Sequence, residues 1–145
     1  SAAPAKHYLA IFLLCTSYVK NPVETLASGH PMNQELYRLS QLSRALRERY
    51  ALAGNLATAH DRKREGWSRT LYLSYFLGSR FYGAAAPHVS TERLARDLER
   101  YRIDYYLVWE RAEFHGEYLG RFPEITKGSI PGLRIYRLHP RPAAP

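Results

Sequence analysis

Residues 103–109, Ile-Asp-Tyr-Tyr-Leu-Val-Trp, form the stretch whose reading decides the fold. β-branched and aromatic side chains follow one another with a single charge, Asp104, near the start. Such a run is the strongest strand signal in the chain, and its composition is that of core. The segments upstream of it carry helical periodicity.

Upstream, Ser90 is placed to cap a helix that carries Leu94, Leu98 and Tyr101 on one face and Arg93, Arg96, Asp97 and Arg100 elsewhere. Arg80 to Gly83 adds a short strand before it. Ser68 is expected to cap an earlier helix through Leu77, with Gly78 ending it. Leu71, Tyr72, Leu73, Tyr75, Phe76 and Leu77 make that helix apolar nearly all round, the pattern of a buried helix. Leu52 to Ala59 is short, apolar and small in side chain, and predicts a buried strand ending at the charged loop His60 to Glu65. Before it, Asn33 is expected to cap a helix running to about Tyr50, with Leu36, Leu39, Leu42 and Leu46 at helical spacing.

Downstream, residues 110–121 predict an exposed loop, and residues 122–138 a strand, a Gly/Pro turn and a second strand from Leu133 to Leu138. The order is βαβαβ followed by a hairpin. This defines an α/β, three-layer architecture with a mainly parallel sheet, helices on its faces and a C-terminal β-hairpin. Three segments are expected. Residues 1–22 hold the apolar run Tyr8 to Cys15, which is either a buried element or the end of a membrane helix. Residues 23–139 form a single domain, and residues 140–145 a tail. The run is well short of the roughly 20 apolar residues that span a bilayer.

Composition sets limits on function. The 145 residues are 46% hydrophobic and 23% charged, which excludes wholesale disorder. Cys15 is the single cysteine, so an intrachain disulfide and a multi-cysteine zinc site are excluded. The net charge of +8 comes mostly from arginine, whose planar fork suits phosphate and carboxylate, although the charges are spread over several helical faces. Twelve tyrosines supply side chains with an apolar body and a polar tip.

The loop after Ala59, His-Asp-Arg-Lys-Arg-Glu-Gly-Trp-Ser, matches neither dinucleotide nor P-loop glycine patterns. His60 and Asp61 nevertheless follow a parallel strand, where α/β sheets place ligands. His60, Asp61, Arg62 and Arg64 in this loop, with Arg80 beside its aromatics, are the candidate binding residues. Glu110, Glu113, His115 and Glu117 could in principle do acid–base work after the strongest strand, but nothing in their spacing fixes their separation. The six histidines have no ligand-spaced partners, and neither a metal nor a cofactor is called for. Arg80, Phe81 and Tyr82, with Tyr101, Arg102, Tyr105 and Tyr106, are aromatics and arginines of the kind that stack nucleic-acid bases.

Three stretches taken in order resemble a known family: LYLSYFLGSRFYG (71–83), STERLARDLERYRIDYYLVWE (90–110) and FPEITKGSIPGLRIYRL (122–138). They are similar to the extramembrane C-terminal domain of bacterial polytopic, lipid-phosphate-sugar-dependent glycosyltransferases of the protein mannosyltransferase and aminoarabinose transferase kind. Tyr101, Ile103, Asp104 and Tyr105 match the family's tyrosine-x-isoleucine-aspartate-tyrosine motif, and Leu133, Ile135 and Tyr136 its closing strand. The resemblance covers about residues 33–138.

It implies a noncatalytic domain facing the periplasm or cell exterior at the bacterial inner membrane. The parent protein would move a sugar from a polyprenyl-phosphate donor to an acceptor. The implied partners are the membrane portion of the same polypeptide and a polyprenyl-phosphate sugar or anionic headgroups. The family's catalytic carboxylates lie near amino-terminal membrane helices, so no catalytic residue is carried over to this chain. The alternative expectation is a free-standing basic α/β module that binds nucleic acid or another anionic partner.

Overall fold

The computed structural model describes residues 31–139, and the expectations for residues 1–22 and 140–145 lie outside them. The chain divides between Arg38 and Leu39 into two units, and the second, from Leu39 onward, holds the sheet.

Helix α1 spans Pro31–Tyr50. It begins two residues before the expected Asn33 cap and ends where Ala51 turns left-handed at φ 44°. Strand β1 is Asn55–Thr58, helix α2 Glu65–Leu77, strand β2 Arg80–Ala84, helix α3 Thr91–Arg100 and strand β3 Tyr105–Trp109. Helix α4, Gly116–Leu119, and strand β4, Leu133–Arg137, complete the order. The sheet runs β2-β1-β3-β4, with β1 parallel to both β2 and β3 and with β4 antiparallel to β3. The α/β class and the mainly parallel sheet expected from the sequence are therefore present.

Strand direction explains where the helices lie. The chain leaves β1 through α2 to reach β2 on one side, then crosses back through α3 to β3 on the other. Crossovers between parallel strands share one hand, so a reversal of direction puts successive helices on opposite faces. The two cores agree with this. Tyr105, Leu107 and Trp109 pack with Leu39 and Leu46 of α1 and Leu73 and Leu77 of α2. Tyr106 and Val108 point the other way and pack with Leu94 and Leu98 of α3. Every residue of β3 is buried, as its composition requires.

Four local expectations are corrected. Ser68 does not cap α2: the helix starts three residues earlier, and the Ser68 hydroxyl donates to the Glu65 carbonyl. The first strand is shorter than Leu52 to Ala59, because Gly54 at φ 124° turns the chain just before Asn55. The stretch 110–121 is not wholly an exposed loop, since it contains α4 and the fully buried Leu119. The C-terminal hairpin has only one true strand. In its first arm a single bridge joins Glu124 to Tyr136. The Thr126 hydroxyl accepts from the Ile135 N–H, and Lys127 and Gly128 adopt positive φ, so the arm leaves the ladder.

Tyr106 carries a test of the second core. Its ring is fully buried, and its hydroxyl has no hydrogen-bond partner among the described residues. Burial pushes its ionisation well above the ordinary phenol value of 10, and the nearby Glu113 carboxylate adds to the rise. A raised folded-state value means that the unfolded chain loses this proton first. The associated stability is complete below about pH 10 and falls as pH rises beyond it. Tyr106→Phe is expected to match or exceed the wild type by up to ~1 kcal/mol at pH 7, because it removes an unsatisfied hydroxyl. It should also flatten the alkaline loss, as read by urea unfolding at pH 7 and pH 10.5. A loss of more than about 1 kcal/mol at pH 7 would show that the hydroxyl is satisfied after all.

Candidate functional site

The carboxyl ends of β1 and β2 lead to helices on opposite faces, and such a divergence leaves a crevice between the two loops. Here the crevice is lined by Ala59, His60, Asp61, Arg64 and Trp67 on one side and the 84–87 loop on the other. A second cleft, of about 350 Å³, opens beside it between the ends of β1 and β3. Its walls carry Arg62, Lys63, Arg69, Glu110, Arg111 and Glu113. His60 and Asp61 border both, so the sequence's choice of this strand end is where the two concavities meet.

The floor is built around Asp61. The chain turns tightly after β1, with the Arg64 N–H donating to the Asp61 carbonyl at 3.2 Å and Arg64 itself left-handed at φ 57°. This turn swings the Asp61 side chain under the start of α2. Its Oδ1 accepts from the Glu65 N–H at 3.1 Å and its Oδ2 from the Gly66 N–H at 2.7 Å. An internal carboxylate thus fills the electropositive helix end that many α/β proteins offer to a phosphate. Any anionic ligand at this edge must be met by side chains instead.

Gly66 admits no side chain, since a Cβ there would lie 2.7 Å from both Asp61 Oδ2 and Trp109 Cδ1. Trp109 is fixed in turn: its indole N–H donates to the Thr70 hydroxyl at 2.8 Å, and that hydroxyl donates to the Gly66 carbonyl at 2.7 Å. The Arg69 guanidinium lies over the indole, 5.5 Å from the ring centroid. Asp61, Gly66, Thr70 and Trp109 therefore lock α2 to the ends of β1 and β3.

The walls are tied together as well. The Glu113 N–H donates to the His60 carbonyl at 2.8 Å, which joins the loop after β3 to the end of β1. The Glu113 carboxylate accepts from the His88 N–H at 3.0 Å and lies 3.3 Å from His88 Nδ1. Arg64, His88 and Arg111, one on each of the three loops, hold positive φ without being glycine. Such strain costs of the order of 1 kcal/mol or more per residue, and Ala51, Arg102 and Lys127 bear it away from this edge as well.

The sequence-predicted residues divide. His60, Asp61, Arg62 and Arg64 come together at this edge. Arg80 does not: it pairs with Asn55 at the amino end of the parallel strands, on the opposite edge of the sheet. Glu110 and Glu113 reach the cleft. His115 stands at the start of α4 with Nε2 on the Val89 carbonyl, and Glu117 lies on α4 itself. Tyr105 and Tyr106 are core, with no face free for a base to stack on. Among the described residues, no group of three or more His, Cys, Asp or Glu is arranged to hold a metal ion. No helix among them is long and apolar enough to cross a membrane.

Gly66, Thr70, Arg69, His88, Arg111 and Trp109 were not singled out from the sequence. Trp109 carried a usable signal, since it ends the strand that must neighbour β1. With four cations (Arg62, Lys63, Arg69, Arg111) facing Glu65, Glu110 and Glu113, the cleft suits a polar ligand bearing both hydroxyl and anionic groups. No family model, curated protein or solved structure matches the chain. The class defined by fold and site is an α/β domain with a mixed four-stranded sheet and a polar cleft at the carboxyl ends of its parallel strands.

Proposed function

We propose that this chain is the noncatalytic extramembrane domain of a membrane glycosyltransferase that moves a sugar from a polyprenyl-phosphate donor to an acceptor. In this reading the cleft beside His60 receives part of the donor or acceptor, with Arg62, Lys63 and Arg111 meeting anionic groups and Glu110 meeting hydroxyls.

The observation that carries the reading is what the family-like residues do. Asp104 Oδ2 accepts the Asn55 N–H at 2.7 Å and occupies the space beside Gly54, pinning β1 to the start of β3. Ile103 and Tyr105 are buried next to it, and Leu133, Ile135 and Tyr136 form the strand that closes the sheet. The resemblance therefore rests on a connected set of residues that specifies a sheet, which supports it over a chance likeness of scattered letters. These residues mark a fold and leave catalysis to another part of the protein, as the resemblance implies.

The test is an immunoblot of separated membrane and soluble fractions, using antibody to this chain. The expected band is membrane-bound and several times heavier than the 16.7 kDa of the chain itself. A soluble band near 16.7 kDa would overturn the reading and leave the basic α/β module in its place.

A further inference from the structure

Helix α2 is apolar almost all round, and a helix of that pattern is normally covered on every side. Its inward face obeys the rule, with Thr70, Leu73, Ser74 and Leu77 buried. Its outer face does not: Trp67 is 42% exposed, Leu71 37%, Tyr72 39% and Tyr75 79%. The expectation that the whole helix is buried is thus corrected, and the outer face is left as a surface. Trp67, Leu71 and Tyr75 recur every four residues and make one ridge. The ridge continues to the open edge of the sheet, where Trp67 meets Phe81 of β2 with ring centroids 5.9 Å apart. Round that edge, Tyr82 packs against Tyr101 at 5.8 Å, and both are exposed.

The chemistry of this surface indicates its occupant. Trp and Tyr join an apolar body to a hydrogen-bonding tip, the combination favoured in the headgroup layer of a bilayer. From Gly66 to Ala86 the charged residues are Arg69 and Arg80, with no carboxylate among them. Arg80 is exposed on the edge strand. The Arg47 guanidinium reaches the far end of α2, where it donates to the Phe76 carbonyl at 2.7 Å, and Arg100 lies over the Tyr101 ring at 5.5 Å. Cations thus rim an aromatic ridge on a chain of net charge +8, with Glu65 at the start of α2 and Asp97, in the hollow it shares with Tyr82 and Tyr101, as the carboxylates beside it. Two copies meeting face to face would oppose these same cations, whereas an anionic leaflet complements them.

We propose that the outer face of α2, with the adjoining edge of β2, docks in the headgroup layer of an anionic phospholipid bilayer. The proposal deepens the glycosyltransferase reading, which expects anionic headgroups as a partner, by naming the face that meets them; its argument is the exposure and chemistry of that face. The face would sit with Trp67, Leu71 and Tyr75 among the glycerol and upper acyl groups and the arginines against lipid phosphates. The cleft between β1 and β3 is lined by none of Trp67, Leu71 and Tyr75 and would stay open to water, whereas the crevice that Trp67 lines would border the headgroups.

The test uses the full 145-residue chain in co-sedimentation with vesicles of phosphatidylglycerol and phosphatidylcholine. Binding is expected to anionic vesicles, to weaken on pure phosphatidylcholine and to fall as salt rises. The double variant Leu71→Glu/Tyr75→Glu is expected to lower the partition coefficient on the order of tenfold or more, since carboxylates then face an anionic, apolar layer. Both sites are exposed, so its thermal unfolding should match the wild type. The conservative pair Leu71→Phe/Tyr75→Trp should retain binding.

Equal binding by the Glu variant would place the contact elsewhere on the chain and overturn the proposal. So would a wild type that ignores vesicles, whether monomeric or joined in a dimer that the Glu variant dissolves. A heavy membrane-bound band in the immunoblot alongside either result would leave the glycosyltransferase reading standing and remove only this one.

Discussion

Replacing Gly66 with alanine is expected to cost the domain about 2–3 kcal/mol, read as a lowered midpoint in urea unfolding. Considered alone, α2 would gain from the change, because alanine is favoured over glycine in a helix by about 1 kcal/mol. The tertiary structure reverses the sign. The new Cβ would stand 2.7 Å from Asp61 Oδ2 and from Trp109 Cδ1, and neither neighbour is the loose end of a flexible side chain. Asp61 is held by two backbone N–H groups and Trp109 by the Thr70 hydroxyl, so relief of the clash breaks at least one of these bonds. Gly78→Ala is the comparison. Nothing lies within 4 Å of a Cβ there, so its cost is limited to that of holding a left-handed φ of 66°, about 1 kcal/mol. If Gly66→Ala proves as stable as the wild type, the packing of α2 on Trp109 is looser than described.

Asp61→Ala is expected to cost roughly 2–3 kcal/mol, since it removes a helix cap and leaves one buried and one partly buried N–H group without their acceptor. Asp61→Asn keeps one acceptor oxygen and should lose about half as much. The alanine variant makes a second, less obvious prediction. With the carboxylate gone, the start of α2 becomes a vacant anion site. Inorganic phosphate should then raise the melting temperature of the variant by more than it raises that of the wild type, as read by thermal unfolding with and without the salt. Equal increments in the two proteins would mean that the Glu65 and Gly66 N–H groups are not available to an anion. That outcome would undercut the view that Asp61 fills a place where other α/β proteins bind phosphate.

Asp61 also shows what a local pattern leaves out. A short apolar run followed by charges marks the end of a strand at His60 and Asp61, and strand ends are where parallel sheets present their loops. That pattern makes Asp61 a candidate ligand-binding side chain, whereas the structure turns it inward to cap α2. The misplaced cap at Ser68 is the same error seen from the helix. A serine before an apolar run is a local cap signal, but the real acceptor lies four and five residues upstream of the N–H groups it serves. Only the left-handed turn at Arg64 brings it there. Arg80, a candidate for its place beside Phe81 and Tyr82, pairs with Asn55, and the parallel register of β1 and β2 puts it at the end opposite His60.

By itself, the sequence determined the α/β class, the βαβαβ order and the strand and core character of residues 105–109. All of these follow from short-range periodicity and from the one-handedness of parallel crossovers, which depend little on atomic detail. Only the tertiary structure decided that Asp61, Gly66, Thr70 and Trp109 form one interlocked unit and that Arg80 stands apart. It also decided that the outer face of α2 is left uncovered. The physical reason is that hydrophobic periodicity records how apolar a face is but not what lies against it. Contacts between residues tens of positions apart are fixed by strand register and helix placement, to which a local pattern is blind.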